Sequence, residues 1–289
     1  MVEVFGVVAG ITYKAFSAIV LSTLRDSMTI HCKQFAIRLA FALVLAQVIS
    51  WGQTVERGID EALLAKATAG DPEAQTKIGI SYETGQGAPK DYAQAVVWYR
   101  KAADQGFARA QYILGNCYSH GEGMPVDYVQ SAAWYQKAAV QNDKEAQLDL
   151  GLLYASGRGV PKDTKKAFDL FYQAAQLGES DAQYRVAVAY ADGHDVPQDL
   201  KLAADWYRKS ADQGFAGAQF NYAMMRIQEK DYKGGYFWIS LAADTLKGEP
   251  LKKTIEVRDL CAAQLNGSDL KKANEQISKW KAAHPGPHY

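Results

Sequence analysis

Asp91, Asp127, Asp163 and Asp199 recur every 36 residues, and with His120 and His194 they are the side chains here whose type suggests chemistry. General acid–base catalysis needs two titratable groups that converge with different pKa values. One aspartate per repeat does not converge. Each instead stands where a helical segment starts, and a carboxylate there satisfies open backbone N–H groups and the positive end of the helix dipole. His120 and His194 fall at different phases of the repeat, and no Cys or His partner stands at zinc spacing. His284 and His288 read as solvated residues of the tail. The Gly-x-Gly loops beginning at Gly85, Gly121 and Gly157 follow helix C-termini, where the dipole is negative and phosphate is unwelcome. No Ser-x-x-Lys followed by Ser-Asp-Asn and Lys-Thr-Gly is present, as a penicillin-recognising serine enzyme would require. The expectation is a non-enzymatic chain with no catalytic residue, no metal and no cofactor.

The elements that carry these residues obey one period. Ala-Gln falls at residues 74, 110, 146, 182 and 218, always 36 apart. Gly85, Gly121, Gly157 and Gly193 keep the period, as do Pro89, Pro125, Pro161 and Pro197. Tyr82, Tyr118, Tyr154 and Tyr190 form another register, and Trp98, Trp134, Trp206 and, after a deletion, Trp238 form one more. A fixed period of this length means stacked supersecondary units that bury their apolar faces on one another.

Within a unit, Ala74, Ile78 and Tyr82 share one helical face, which predicts a helix A that ends at a left-handed Gly85. Asp91 caps a helix B whose apolar stripe is Ala95, Trp98, Tyr99, Ala102 and Ala103. Gly79, Gly115 and Gly151 on helix A and Ala102, Ala138 and Ala174 on helix B leave room for close packing, with large rings filling the gaps. Helices this short are marginal alone in water, so the hairpins are expected to fold as an array.

This pattern resembles the Sel-one-like repeat, a relative of the tetratricopeptide repeat. Residues 146–181 carry Ala146-Gln147, Leu150-Gly151, Tyr154, Gly157, Gly159-Val160, Asp163, Ala167 and Ala174-Ala175 of its motif. The resemblance extends over about residues 70–283. It implies an all-α fold, an α/α superhelical solenoid of about five helical hairpins with capping helices. The expected frame is an N-terminal targeting region at 1–52, a capping helix in 53–73, and a C-terminal cap and tail at 246–289. Between them lie repeats at 74–109, 110–145, 146–181, 182–217 and 218–245. Several units depart from the motif: Ala187 replaces the packing glycine, Asp195 replaces the second loop glycine, and Leu170-Phe171 replaces an aromatic pair. In the fifth unit Asp231 follows Arg226 by five residues, whereas Asp91 follows Tyr82 by nine, so a tighter turn is expected. Residues 57–70 read as a lone B-type helix covering the first unit. Residues 250–264 and 268–283 read as two lysine-rich helices, the second capped by Ser268.

Lysine plus arginine number 32 and aspartate plus glutamate also 32, and the signs alternate along the repeats. With no basic field, nucleic acid is not an expected partner. From Met28 a basic stretch, an apolar run of about 11 residues and small residues at Ser50 and Gly52 resemble a secretory signal. Residues 1–27, with Glu3 and Lys14, make a poor signal, so translation is expected to begin at Met28. A periplasmic or secreted protein is the expectation, and an uncleaved segment anchoring it to the membrane is the alternative. Removal of the signal takes Cys32 with it. Cys117 and Cys261 lie too far apart along a solenoid to pair, and Cys117 is expected to pack as a small apolar residue.

A partner would sit on the concave face. In tetratricopeptide-like stacks the A helices line that face, through positions three before and one after the packing glycine. In the first unit these are Thr76 and Ile80. The groove proper is then Tyr112, Asn116, Leu148, Leu152, Tyr184, Val188, Phe220 and Met224. Unlike the packing positions, these vary between units, and they are mostly apolar or aromatic, as a groove for an extended peptide or a partner's helix would be. The resemblance implies an interaction scaffold or regulator in the bacterial envelope, with a sensor kinase or a polysaccharide-export component as the kind of partner. The alternative is a hydrolase or binding protein for cell-wall or beta-lactam-like substrates.

Overall fold

The computed structural model describes residues 58–285. The signal-like segment at 28–52, the preceding residues 1–27, His31, Cys32 and His288 lie outside the described residues. Those described form helices and no strand. Helix α1 (Glu61–Thr68) precedes five antiparallel pairs: α2 (Pro72–Thr84) with α3 (Tyr92–Asp104), and α4 (Ala108–His120) with α5 (Tyr128–Ala139). Next come α6 (Lys144–Ser156) with α7 (Thr164–Gln176), α8 (Ser180–Asp192) with α9 (Leu200–Asp212), and α10 (Ala216–Gln228) with α11 (Tyr232–Thr245). Helices α12 (Gly248–Ala263) and α13 (Gly267–Ala283) close the array against α11. From α1 to α12 each helix packs on its chain neighbours, which is the order of a solenoid, and α13 packs back on α11.

Helix A starts two residues before each Ala-Gln and ends at Gly85, Gly121, Gly157 or Gly193, whose φ of +77°, +75°, +73° and +72° is left-handed. A loop then returns to helix B. The Asp91 N–H donates to the Tyr82 carbonyl at 2.8 Å, and the same bond joins Asp127 to Tyr118, Asp163 to Tyr154 and Asp199 to Tyr190. In the shortened fifth loop the Asp231 N–H donates to Arg226 O at 2.9 Å, so the deletion keeps the closing bond and removes only the arc around it. Each of these aspartates caps helix B; Asp91 Oδ1, for example, accepts from Gln94 N at 3.0 Å and Asp163 Oδ1 from Lys166 N at 2.9 Å.

Close packing follows from the glycine register. A Cβ on Gly151 would lie 2.6 Å from the Phe171 ring, and Gly79 and Gly115 face Tyr99 and Tyr135 in the same way. Phe171 thus fills the role of the tyrosines elsewhere. Trp134, Trp206 and Trp238 are buried, whereas Trp98 is only half-buried, because its neighbour toward the N-terminus is the single short helix α1. Lys101, Lys137 and Lys209 lie over the rings of Trp98, Trp134 and Trp206 at 4.2, 3.6 and 4.0 Å, adding cation–π attraction one helical turn away.

The recurring glutamine is a structural bolt. Gln75, Gln111, Gln147, Gln183 and Gln219 are buried, and their Nε2 groups donate to the carbonyls of Ala67, Ala103, Ala139, Ala175 and Ala211 at 3.0 to 3.2 Å. These carbonyls sit at the C-terminal end of the preceding helix, where each accepts a backbone N–H from the turn, as Ala103 O does from Gly106 at 3.0 Å, and the glutamine supplies a second donor. A second glutamine then completes the bolt: Gln105, Gln141 and Gln213 donate to the Oε1 of Gln75, Gln111 and Gln183 at 2.8 to 2.9 Å. The expected cap at Ser268 is corrected. Asn266 caps α13, its Oδ1 accepting from Asp269 N at 2.9 Å, because the helix starts at Gly267 and Ser268 is already inside it.

Candidate functional site: the A-helix face

Tyr112 and Asn116 come from α4, Leu148 and Leu152 from α6, Tyr184 and Val188 from α8, and Phe220 and Met224 from α10; all eight are half-buried. In the first unit the same positions diverge. Thr76 is buried and bonds the Pro72 carbonyl at 2.8 Å, so it does not face a groove, whereas Ile80 is 42% exposed.

Several of these side chains gather at clefts between helices. Tyr112 and Asn116, with Ile80, Glu83 and His120, line a cleft of about 460 Å3. Tyr184 and Val188, with Phe168 and His194, line another of about 290 Å3. Tyr184 and Phe220 border a third, of about 340 Å3, whose far wall is Pro250 and Lys253 of α12. The C-terminal cap therefore forms part of the surface as well as closing the stack. Leu148 and Leu152 pack on the apolar core between the clefts.

The tyrosines are held by the scaffold. The Tyr112 ring lies 5.9 Å from Tyr135 of its own hairpin, and Tyr184 lies 5.9 Å from Tyr207 and 5.0 Å from Phe215. Ring contacts at these distances contribute roughly 0.5 to 1.5 kcal/mol beyond area burial, so both tyrosines are ordered in advance. The Asn116 side-chain carbonyl accepts the Tyr135 hydroxyl.

Sequence reasoning missed a second row, two positions before the packing glycine: Lys77, Ile113, Asp149, Arg185 and Asn221. From α8 onward these residues meet the rings of the preceding B helix. Arg185 lies over Phe171 at 5.3 Å and Asn221 Nδ2 donates to the Tyr207 hydroxyl at 3.2 Å. Burial pushes the Asp149 carboxyl up to about 6, although a hydrogen bond with Tyr112 and the nearby His120 pull the other way. The signal that could have found this row is its variation, which equals that of the groove positions.

Among the described residues no group of three or more His, Cys, Asp or Glu is arranged to hold a metal ion. Cys117 and Cys261 are free and buried. Burial pushes the Cys117 thiol up to about 12, which leaves it protonated and unreactive.

The helical hairpins, their period and their closing loops match the Sel1 repeat model at residues 72–107, 108–143, 144–179 and 180–215. The chain belongs to the Sel1 repeat family. The matched Sel1 repeats end before the hairpin with the shortened loop. A Sel1 repeat protein from Oxalobacter formigenes is 32% identical, with a TM-score of 0.59, over 64% of this chain and 77% of its own. A protective antigen present in uropathogenic Escherichia coli strains, which displays an SLR fold, is 29% identical with a TM-score of 0.61. That match covers 79% of this chain and about half, 53%, of the antigen. No curated protein matches. Sel1 repeats are generally non-enzymatic scaffolds for protein–protein interaction.

Proposed function

We propose that this Sel1 repeat chain is a scaffold or regulator of the bacterial envelope that binds an extended peptide or a helix of a protein partner along its A-helix face. The observation that carries the reading is the row from Tyr112 to Met224, half-buried side chains of varied type on an otherwise periodic frame. Aromatic anchors fixed by a scaffold are what a recognition surface uses, because they bury large area at little cost in conformational entropy. The envelope location rests on the signal-like residues 28–52, which make a periplasmic or secreted chain the preferred form and an anchored chain the alternative. A sensor kinase or a polysaccharide-export component is the kind of partner we favour, with no nucleic acid and no membrane contact beyond the N-terminal segment.

The test is capture of partners by crosslinking in intact cells, comparing the wild type with a Tyr184→Ala, Phe220→Ala double variant. The variant should keep its helix content and lose the captured protein. Equal capture by the two would refute the groove.

A further inference from the structure

Tyr92 opens α3 and Tyr128 opens α5, but in the same register Thr164 opens α7; Leu200 opens α9, where the loop that follows is the shortened one. Tyr128 is half-buried on the core, and Arg158, from the loop of the following hairpin, lies over its ring at 5.6 Å. One unit later that pair becomes Thr164 and His194. A flat side chain still stands at the covering position, and the ring it would cover is gone. The His194 side chain is 83% exposed, 4.0 Å from Asp192.

The loop changes at the same place. A Cβ on Gly123 would lie 2.4 Å from the Tyr92 carbonyl oxygen, and one on Gly159 2.2 Å from that of Tyr128, so these two loops rest directly on a helix start. Asp195 keeps the left-handed turn, with φ +64°, yet carries a Cβ and cannot come so close. Its Oδ1 accepts the Thr164 hydroxyl at 2.7 Å instead. Both departures meet in the cleft of about 290 Å3 between α7 and α8, with Phe168, Tyr184 and Val188 in its wall and Thr164, His194 and Asp195 at its rim. Phe168 is held in that wall by Tyr172 and Tyr190, at 6.0 and 5.9 Å.

We infer that this cleft seats a tyrosine side chain of the bound segment, in the place that the chain's own Tyr128 takes one unit earlier. The ring meets Phe168 and Tyr184, with His194 over it as Arg158 is over Tyr128. A phenol also suits the rim, because its hydroxyl donates and the exposed carboxylates of Asp192 and Asp195 only accept. Arg185, which lines the cleft as well, is already engaged by Asp181 at 2.9 Å and by the Phe171 ring. The inference rests on the proposed groove, to which Tyr184 and Val188 belong, and names the side chain taken at one point along it.

Two small probes test the seat on the full chain: p-cresol, which is the tyrosine side chain, and 4-methylcyclohexanol, of similar size with no aromatic face. Their titration is followed by NMR of the Ala167 and Val188 methyl groups, which line the cleft. p-Cresol should shift both saturably and bind about three- to tenfold more tightly than the alcohol, the scale of ring-to-ring contacts. Thr164→Tyr should place the chain's own ring in the seat, keep its helix content and abolish the shifts. In the intact-cell crosslinking it should also lose the captured protein, as the Tyr184→Ala, Phe220→Ala variant does. His194→Ala, at an exposed loop position, should fold unchanged and narrow the preference for p-cresol, which keeps the test decisive if Thr164→Tyr does not fold. No saturable shift in the wild type, equal binding of the two probes, an unchanged preference in His194→Ala, or shifts that survive in a folded Thr164→Tyr overturns the seat. Capture retained by folded Thr164→Tyr and lost by the double variant overturns the seat and leaves the groove standing; capture retained by both overturns both.

Discussion

Leu177 stands where Gln105, Gln141 and Gln213 stand in other units, and its replacement by glutamine is the sharpest test of how the stack is bolted. Gln147 is 1% exposed, and its Oε1 has no hydrogen-bond partner. In the first, second and fourth bolts that atom accepts from the glutamine 30 residues later. The backbone is already suited to the exchange: Leu177 has φ −81° and ψ 3°, against −80° and 0° at Gln105 and −87° and 0° at Gln213. Leu177 is 45% exposed, so Leu177→Gln gives up about 0.5 kcal/mol of apolar burial and keeps most of the stem contacts. Satisfying a buried orphan acceptor restores about 1 to 3 kcal/mol. The expected net is stabilisation by about 0.5 to 2 kcal/mol. The reciprocal Gln141→Leu, which orphans Gln111 Oε1 and also removes a 3.0 Å bond to the Gly106 carbonyl, should cost a similar amount or more. Urea denaturation followed by circular dichroism reads both, as midpoints moving in opposite directions. A neutral or destabilising Leu177→Gln together with a harmless Gln141→Leu would mean that the glutamine pairs are incidental to stability.

Other expectations follow from the same packing. Asp149→Asn should stabilise the chain by about 1 to 3 kcal/mol at pH 7.5. The sign follows from the raised folded-state pKa: between the ordinary carboxylate range and about 6 the native state holds a proton that the unfolded state has lost, so wild-type stability falls as pH rises through that window. Denaturation midpoints at pH 4 and 7.5 should therefore differ more for the wild type than for the variant, and equal pH dependence would refute the assignment. Trp134→Ala should cost roughly 3 to 5 kcal/mol, since the buried ring and its lysine contact are both lost; a thermal scan showing no change would mean the B helices are oriented wrongly. Gly159→Ala should cost roughly 2 to 4 kcal/mol, because φ is +70° and the added methyl would overlap the Tyr128 carbonyl. Calorimetry showing a loss below 1 kcal/mol would mean that the loop is free to move away from the preceding hairpin.

Much of this frame could be read in the residues because the period samples the same environment repeatedly. Gly85, Asp91 and Tyr82 each recur, and a glycine that recurs after a helix, or an aspartate before one, has few physical meanings. The period also showed that Gln147 matters without showing what it bonds, since its acceptor, the Ala139 carbonyl, is backbone and leaves no trace in residue type. Non-repeating features were harder. Asn266 and Ser268 are both good caps, and only the start of α13 chose between them. Thr76 shares its register with Tyr112 yet is buried, its short side chain folded back onto the Pro72 carbonyl. Asp149 was hard to read for a related reason: an aspartate within a helix usually reads as solvated, whereas this one is half-buried and its carboxyl pushed up by that burial.

The central claim is that the A-helix face recognises a protein segment. A photoreactive phenylalanine analogue at position 184, activated in intact cells and followed by mass spectrometry of the adduct, tests it most directly. One dominant protein adduct is expected, mapping to a short segment of the partner, and none from the same analogue at the outward-facing Val97 of α3. Equal, diffuse labelling from the two positions would contradict it.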